Sequence, residues 1–340
     1  MMNDMDELKQ RPILTIAITT YNGQKTIRNT FDSVLKQYDE RVEILVVDNC
    51  SNDGTPIIIE EYLARYPFIR SIRNENNIGP DRNFLKAMQN SRGKYVLLLS
   101  DDDIMIENTL KRIVDFLEKK DMGLVYLHTV SFHENYSGVE NCVKPGRDVP
   151  KDICTTERSI FMKYAAHYWG FMSSFICSTD SVKNIQDAEQ YFGTYWLQSY
   201  IHILCVSNPE DKLGVIHGPC IGAGAYLNVS NFDTSLVDGV FYKKMLNFAV
   251  EKGHFDEGQL KKLFINRICI QGKRAVIKER ASGIKKTSIK RLLRCTYMYP
   301  KAWIALYPFF LVPNFLCKFI MKQYRSYRRV SGEMRINRPE

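Results

Sequence analysis

"YVLLLSDDDIM", residues 95–105, runs from an unbroken apolar stretch straight into three consecutive carboxylates. An apolar run of this length, closed by polar residues, reads as a strand covered on both faces. Asp101, Asp102 and Asp103 then sit at its C-terminal end. Their mutual repulsion calls for a positive partner unless water surrounds them.

Other segments end in the same way. "ILTIAI" (13–18) is apolar and β-branched and stops at "TTYNG", and "VEILVVD" (42–48) stops at the polar turn "NCSNDGT". "FIRSIR" (68–73) is a short third strand, followed by the loop "NENNIGP". Helical patterns lie between them. Gln24 to Tyr38 carries Ile27, Phe31, Val34 and Leu35 on one face, with Asn22 available as a cap. "PIIIEEYLARY" has Pro56 in its first turn, and a third helix runs from about Asp81 to Asn90. After the carboxylates come the amphipathic "ENTLKRIVDFLEKK" and the strand "GLVYLHTV". Strands alternating with helices imply an α/β fold with a mostly parallel sheet flanked by helices. Right-handed crossovers bring the strand C-termini to one edge, where open α/β sheets bind ligands. "TTYNG", "DNCSNDGT" and "SDDD" are therefore expected to converge on one crevice.

After residue 130 the pattern loosens. A long loop (131–152) precedes "GFMSSFICS" (170–178), which reads as a buried strand, and "GTYWLQSYIHILCVS" (193–207), which reads as an aromatic-rich helix. "KLGVIHGPCIGAGAYL" (212–227) suggests two short strands around a Gly-Pro turn, and from Ser235 onward the pattern is helical. The expected organisation is a tail (1–12), a ligand-binding half (13–130), a second half (131–230) and a basic helical region (231–340). At 340 residues and 45% hydrophobic composition the chain can bury a full core. Nine cysteines without a CxxC pair, and a polar, acidic start in place of a secretory signal, fit reduced thiols in the cytoplasm.

Adjacent aspartates at a strand end can hold a hard divalent cation, with substrate phosphate supplying further ligands. Asp101 and Asp103, two apart, project to one side if the backbone stays extended, and Asp102 points elsewhere. The alternative is that "SDDDI" caps the following helix. Asp48 ends the second strand, where a carboxylate can accept hydrogen bonds from a base or a ribose, although it could also serve as a turn residue. Thr20, Tyr21 and Asn22 offer hydroxyl, ring and amide to a nucleotide. Arg82 and Lys86 could face phosphate, although Lys86 could equally lie on a solvated helix face.

In order and spacing, "TIAITTYNGQKTIRNTFDSVLKQ", "EILVVDNCSNDGT", "NENNIGPDRNFLKAM" and "GKYVLLLSDDDIM" resemble the successive motifs of family 2 glycosyltransferases over residues 13–128. The "LSDDD" form and "GPDRNF" resemble bacterial surface-polysaccharide transferases of the abequosyltransferase-like kind. The resemblance implies a GT-A fold, a nucleotide-diphosphate sugar donor, Mn²⁺ or Mg²⁺, a glycan or polyprenyl-linked glycan acceptor and inversion at the anomeric carbon. By position, Asp48 would hold the base or ribose, Asp101 the ribose or metal, and Asp103 the metal. There are two departures. Thr19 stands where many relatives have proline, and the "ED" pair that supplies the catalytic base in many members is missing from "YFGTYWLQSYIHIL". Asp180, Glu189 and His202 are the weak substitutes, and the base stays unassigned. His217, before "GPCIG", is a tentative further metal ligand, against the commoner structural role of a lone histidine. A nucleotidyltransferase with a similar sheet, or a sugar-nucleotide or glycan-binding scaffold without catalysis, remains an alternative.

Residues 273–329 carry fifteen Lys and Arg against Glu279 alone, a net +14, while residues 1–272 carry about −5. Within that basic region "KAWIALYPFFLVPNFLCK" holds sixteen uncharged residues between Lys301 and Lys318, interrupted by Pro308 and Pro313. This is short for a membrane span, which needs about 20 apolar residues. It could pack as a buried hairpin. Its basic and aromatic flanks favour the anionic cytoplasmic face of a plasma or inner membrane, and no nucleic-acid-binding module accompanies the charge.

Overall fold

The computed structural model describes residues 11–132, 136–139, 142, 149–165, 168–206, 210–224, 233–254, 256–283 and 287–323. The chain divides into two compact units after Tyr226.

In the first unit the expected alternation appears as β1 (Leu14–Thr20), α1 (Ile27–Leu35), β2 (Val42–Asp48), α2 (Thr55–Arg65), β3 (Arg70–Arg73), α3 (Pro80–Gln89) and β4 (Tyr95–Ser100). A short β5 (Ile104–Met105), α4 (Leu110–Glu118) and β6 (Leu124–Phe132) follow. The second half supplies β7 (Ile153–Thr155), α5 (Arg158–Ala165), β8 (Phe175–Ser178), α6 (Thr179–Lys183), α7 (Leu197–Leu204) and β9 (Leu213–Gly224). Every residue of β1 and β2 is buried, as their near-continuous apolar sequences require when helices cover both faces of a sheet. Phe31 and Val34 of α1, Ile59 and Tyr62 of α2 and Leu110, Ile113 and Val114 of α4 pack into the main core cluster.

All nine strands form one sheet in the order β3-β2-β1-β4-β8-β6-β9-β5, with β7 added on β9. β1 to β4 are parallel, and β6 runs alongside β9 in parallel. β8 is antiparallel to both β4 and β6. The C-terminal ends of β1, β2, β3, β4, β6 and β9 therefore share one edge, and β8 contributes its N-terminal end there.

Two elements differ from the sequence reading. Residues 213–224 form one strand instead of two, because the Gly-Pro step is absorbed as a bulge. The register with β6 slips between Leu127 and Thr129, and Gly218 takes the left-handed φ of +71°. In residues 170–178 the strand is shorter than expected. Met172–Ser174 is a 3₁₀ turn that carries two buried serines to the edge.

The second unit is helical: α8 (Tyr242–Glu251), α9 (Glu257–Arg267), α10 (Lys273–Ser282), α11 (Ile289–Thr296), α12 (Pro300–Leu306), α13 (Pro308–Leu311) and α14 (Asn314–Gln323). A capping box between Asp256 and Gln259 starts α9, and the buried Asp238 accepts a hydrogen bond from Arg267 at 2.7 Å. No single described helix is long and apolar enough to cross a membrane.

Candidate active site

Register alone brings the polar strand ends together. Thr20 lies beside Asp48, Thr19 beside Ser100, and Asp48 beside Arg73. The loops after β1 and β2 are then laced to each other. The Asn22 N–H donates to Ser51 Oγ at 2.9 Å, and Asn22 Oδ1 accepts the Asn52 N–H at 2.9 Å. Asn22, with φ of +58°, thus joins two loops and does not cap α1, whose N-cap is Thr26. Tyr21, at the tip, is 47% exposed.

Asp48 is buried. Its Oδ1 accepts both the Ser51 N–H (3.0 Å) and the Ser51 hydroxyl (2.5 Å). Its Oδ2 has no hydrogen-bond donor, and the nearest cation is Arg73 Nη1 at 3.4 Å. One carboxylate oxygen is thus used to hold the loop, and the other keeps acceptor capacity.

The three adjacent aspartates have three different environments. Asp101 Oδ2 accepts the Thr20 hydroxyl, which ties the end of β4 to the end of β1. Burial pushes its carboxyl up to about 7. Gly23 completes this corner, because an added Cβ would strike Asp101 Oδ2 and lie 2.7 Å from Thr20 Oγ1. Asp102 is half-buried and accepts the Ser100 hydroxyl at 2.5 Å. Asp103 is buried, and both its oxygens are engaged: Oδ2 accepts the Ser173 hydroxyl (2.6 Å) and Oδ1 the Gly224 N–H (3.0 Å). Burial, and then the neighbouring Asp102 charge, push Asp103 well above the usual carboxylate range. Among the described residues no Lys or Arg forms an ion pair with any of the three.

Several members of the site have no counterpart in the sequence reading. Ser173 and Gly224 reach Asp103 from the 3₁₀ turn before β8 and from the end of β9, across 70 and 121 residues of chain. An asparagine network stiffens the loop before α3. Asn74 Nδ2 donates to Asn49 Oδ1 and Asn83 Oδ1, both at 2.9 Å, and Asn49 Nδ2 donates to Asn77 Oδ1 at 2.9 Å. Lys86 donates to Asn74 Oδ1 at 2.7 Å and so belongs to this network. The density of asparagine in "NENNIGPDRNF" was the available signal. Arg82 is exposed, with its guanidinium 4.5 Å from the centre of the Phe192 ring, just before α7.

Residues 15–179 match the family model described as Glycosyl transferase family 2. These residues are a family 2 glycosyltransferase domain. Abequosyltransferase RfbV of Salmonella typhimurium is 23% identical over 254 residues, covering 69% of this chain and 74% of that protein. An uncharacterised Mycobacterium tuberculosis protein is 35% identical over 120 residues, 34% of this chain, and the chain spans about a third (35%) of that relative's length. Among solved structures, residues 1–349 of Staphylococcus aureus TarS superpose with a TM-score of 0.57 at 16% identity, over 86% of this chain and 80% of that one. That likeness concerns the fold, a GT-A sheet flanked by helices.

Three sequence candidates, Asp180, His202 and His217, lie away from the carboxylate edge of the family 2 domain or are closed off from it. Asp180 follows the C-terminal end of β8. Because β8 is antiparallel, Asp180 lies at the opposite edge of the sheet, where it pairs with Arg11 at 2.8 Å. Glu189 is exposed on the 3₁₀ turn Ala188–Tyr191. His202 is enclosed by Trp169 and Phe175, its Nδ1 is 3.2 Å from the Trp169 carbonyl, and burial pushes its pKa down to about 3. His217 lies seven residues before Gly224, on the bulge of β9, its N–H donates to Asp152 Oδ1 at 2.8 Å, and it sits back from the edge where Gly224 meets Asp103.

Proposed function

We propose that the protein is a metal-dependent, inverting glycosyltransferase. On this reading it moves a sugar from a nucleotide-diphosphate donor to a glycan or polyprenyl-linked glycan acceptor in bacterial surface-polysaccharide synthesis. It would work in the cytoplasm, on the anionic face of the plasma (inner) membrane. The observation that carries the proposal is the convergence of Asp48 and the Asp101–Asp103 cluster on the edge where β1, β2 and β4 end.

In this reading Asp48 Oδ2 accepts a hydrogen bond from the nucleoside, held in place by Ser51 and Arg73. Thr20, Tyr21 and Asn22 line the nucleotide side of the crevice, and Arg82, over the Phe192 ring, would face the donor phosphates. The carboxyl groups fit a hard divalent cation, Mn²⁺ or Mg²⁺, because three oxygen-bearing side chains crowd one corner, no side-chain cation among the described residues is paired to them, and a bound cation would favour their charged forms. Among the described residues no three His, Cys, Asp or Glu side chains converge as a closed cage. On this reading a pair of carboxylates holds the ion, with the substrate completing the shell. Asp101 and Asp102 make up that pair. Asp103, the ligand that the family resemblance implies, would act instead as the anchor that fastens the end of β4 to the turn before β8 and to β9. A bound divalent cation supplies neutralisation of the diphosphate charge. The protein's own contribution is to orient the donor through Asp48, Thr20 and Asp101 and to fix the aspartate loop through Ser173.

The test is release of nucleoside diphosphate from UDP-, GDP-, CDP- and dTDP-sugars, with and without Mn²⁺, in the presence of bacterial lipid-linked glycan. Metal-dependent release from one donor, with the sugar recovered on the acceptor in inverted configuration, supports the proposal. Binding without turnover on any acceptor supports the scaffold alternative.

A further inference from the structure

α12 and α13 run from Pro300 to Leu311, and α14 follows from Asn314 to Gln323 at a bend of 108°. Each arm has two faces. Ala302, Leu306 and Cys317 are fully buried and hold the arms against the rest of the helical unit. On the other side Ile304 (79% exposed), Leu311 (83%), Phe315 (74%) and Phe319 (54%) stand in solvent. Residues 304 and 311 are seven apart on the first arm, and 315 and 319 four apart on the second, so each arm presents one apolar stripe. Single exposed apolar residues are ordinary, but two stripes meeting at an elbow are not.

The bend is fastened. Arg280 of α10 donates from Nε to the Val312 carbonyl (2.8 Å) and from Nη1 to the Phe310 carbonyl (2.7 Å), satisfying helix-end acceptors at the break. Pro313 keeps the helix from continuing through the break. The longer arm has 12 residues and so extends about 18 Å, well short of the roughly 30 Å hydrocarbon core.

We propose that this elbow is a wedge that enters one leaflet of an anionic bilayer, with Ile304, Leu311, Phe315 and Phe319 among the acyl chains and Lys301, Lys318 and Lys322 at the headgroups. The proposal deepens the membrane-surface part of the function proposed above and rests on it. Charge complementarity identifies the occupant: the stripes lie within a segment of net +14, which attracts anionic lipid and disfavours a second copy bearing the same charge. The three lysines are exposed and flank the apolar stripes, so their stems can reach the headgroup layer while the apolar side chains stay below it.

The protein carries its own reporter. Of its three tryptophans, Trp169 and Trp196 are 4% exposed, whereas Trp303 on the elbow is 41% exposed. The full chain is mixed with phosphatidylcholine vesicles, with and without phosphatidylglycerol, and tryptophan emission and co-flotation are followed. The expected result is a blue shift only with the anionic vesicles, weakened by salt, and quenching that is stronger by lipids brominated near the headgroup than near the chain end. Ile304→Asp/Leu311→Asp/Phe315→Asp, all at exposed positions, is expected to weaken vesicle binding by about tenfold or more without lowering the melting temperature. Unchanged binding of the triple variant would overturn the wedge, as would quenching deepest at the bilayer centre, or a shift that arises from self-association without vesicles. Nucleotide-sugar binding is measured on the same samples. Its absence, with vesicle binding intact, would refute the enzymatic reading and leave the wedge standing.

Discussion

The carboxylate of Asp81, in the first turn of α3, accepts the backbone N–H of Tyr195 at 3.2 Å, across 114 residues of sequence. The N–H groups of Gly193, Thr194 and Leu197 also favour its charged form, against burial, which pushes the carboxyl up. This one side chain thus anchors the start of α7. Two residues there, Gly193 (φ +76°) and Tyr195 (φ +63°), lie in the left-handed region, which is unfavourable for a tyrosine. With Arg82 over the Phe192 ring, the α3 N-terminus fixes the segment that leads into α7.

Asp81→Ala should therefore cost about 1–3 kcal/mol of stability, since it leaves the part-buried Tyr195 N–H without its acceptor. It should also lower turnover more than donor affinity. Chemical denaturation and steady-state kinetics on the variant check both. Wild-type stability would show that the α7 segment is held by other contacts.

Gly23 has no room for a side chain beside Asp101 and Thr20. Gly23→Ala should displace the aspartate loop and reduce turnover by about 100-fold, the scale of a 1 Å misplacement in an active site. Circular dichroism should stay native, because the clash is confined to the loop. Activity within a few-fold of wild type would contradict the close packing of these three residues.

Asp102 and Asp103 should separate function from stability. Asp102→Asn is expected to abolish metal-dependent turnover with little change in melting temperature. Asp103→Ala removes the acceptor of the Ser173 hydroxyl and the Gly224 N–H and should destabilise by about 2 kcal/mol or more. The reverse pattern, with Asp102→Asn active and Asp103→Asn inactive but fully stable, would return the ligand role to Asp103.

The parallel half of the sheet was legible because each of its strands is a continuous apolar run with a helix to the next. That logic carried Asp48 and the aspartates to one edge. What sequence could not reveal is strand direction, which long-range pairing determines. Asp180 is a weak candidate for the base because it follows a buried strand, yet β8 runs antiparallel and takes it to the far edge. The same reversal brings Ser173 in. The roles of Asp102 and Asp103 were read from extended geometry, but a turn follows Ser100, so alternation does not hold there. For His217 the structure favours the structural role over the tentative ligand role, because a bulge keeps residues 213–224 in one long strand and leaves it short of the edge.

His202 offers a pH test of a different kind. Its folded-state pKa of about 3 lies below the unfolded value near 6.5, so below that pH the unfolded chain binds a proton that the folded chain refuses. This contribution costs nothing above pH 6.5. It grows as pH falls toward 3, reaching about 4 kcal/mol. His202→Gln should flatten the acid dependence of stability over that window and retain catalysis. Parallel pH profiles of wild type and variant would contradict the buried neutral imidazole.

The most direct test of the central claim, that the ends of β1, β2 and β4 form one nucleotide-sugar pocket, is a thermal-shift panel of UDP-, GDP-, CDP- and dTDP-sugars with and without Mn²⁺. A ligand that binds the native state raises its melting temperature by mass action. One donor should stabilise the protein, more strongly with metal, and Asp48→Asn and Asp102→Asn should each remove the shift. No shift with any donor, or an equal shift in both variants, would contradict the account.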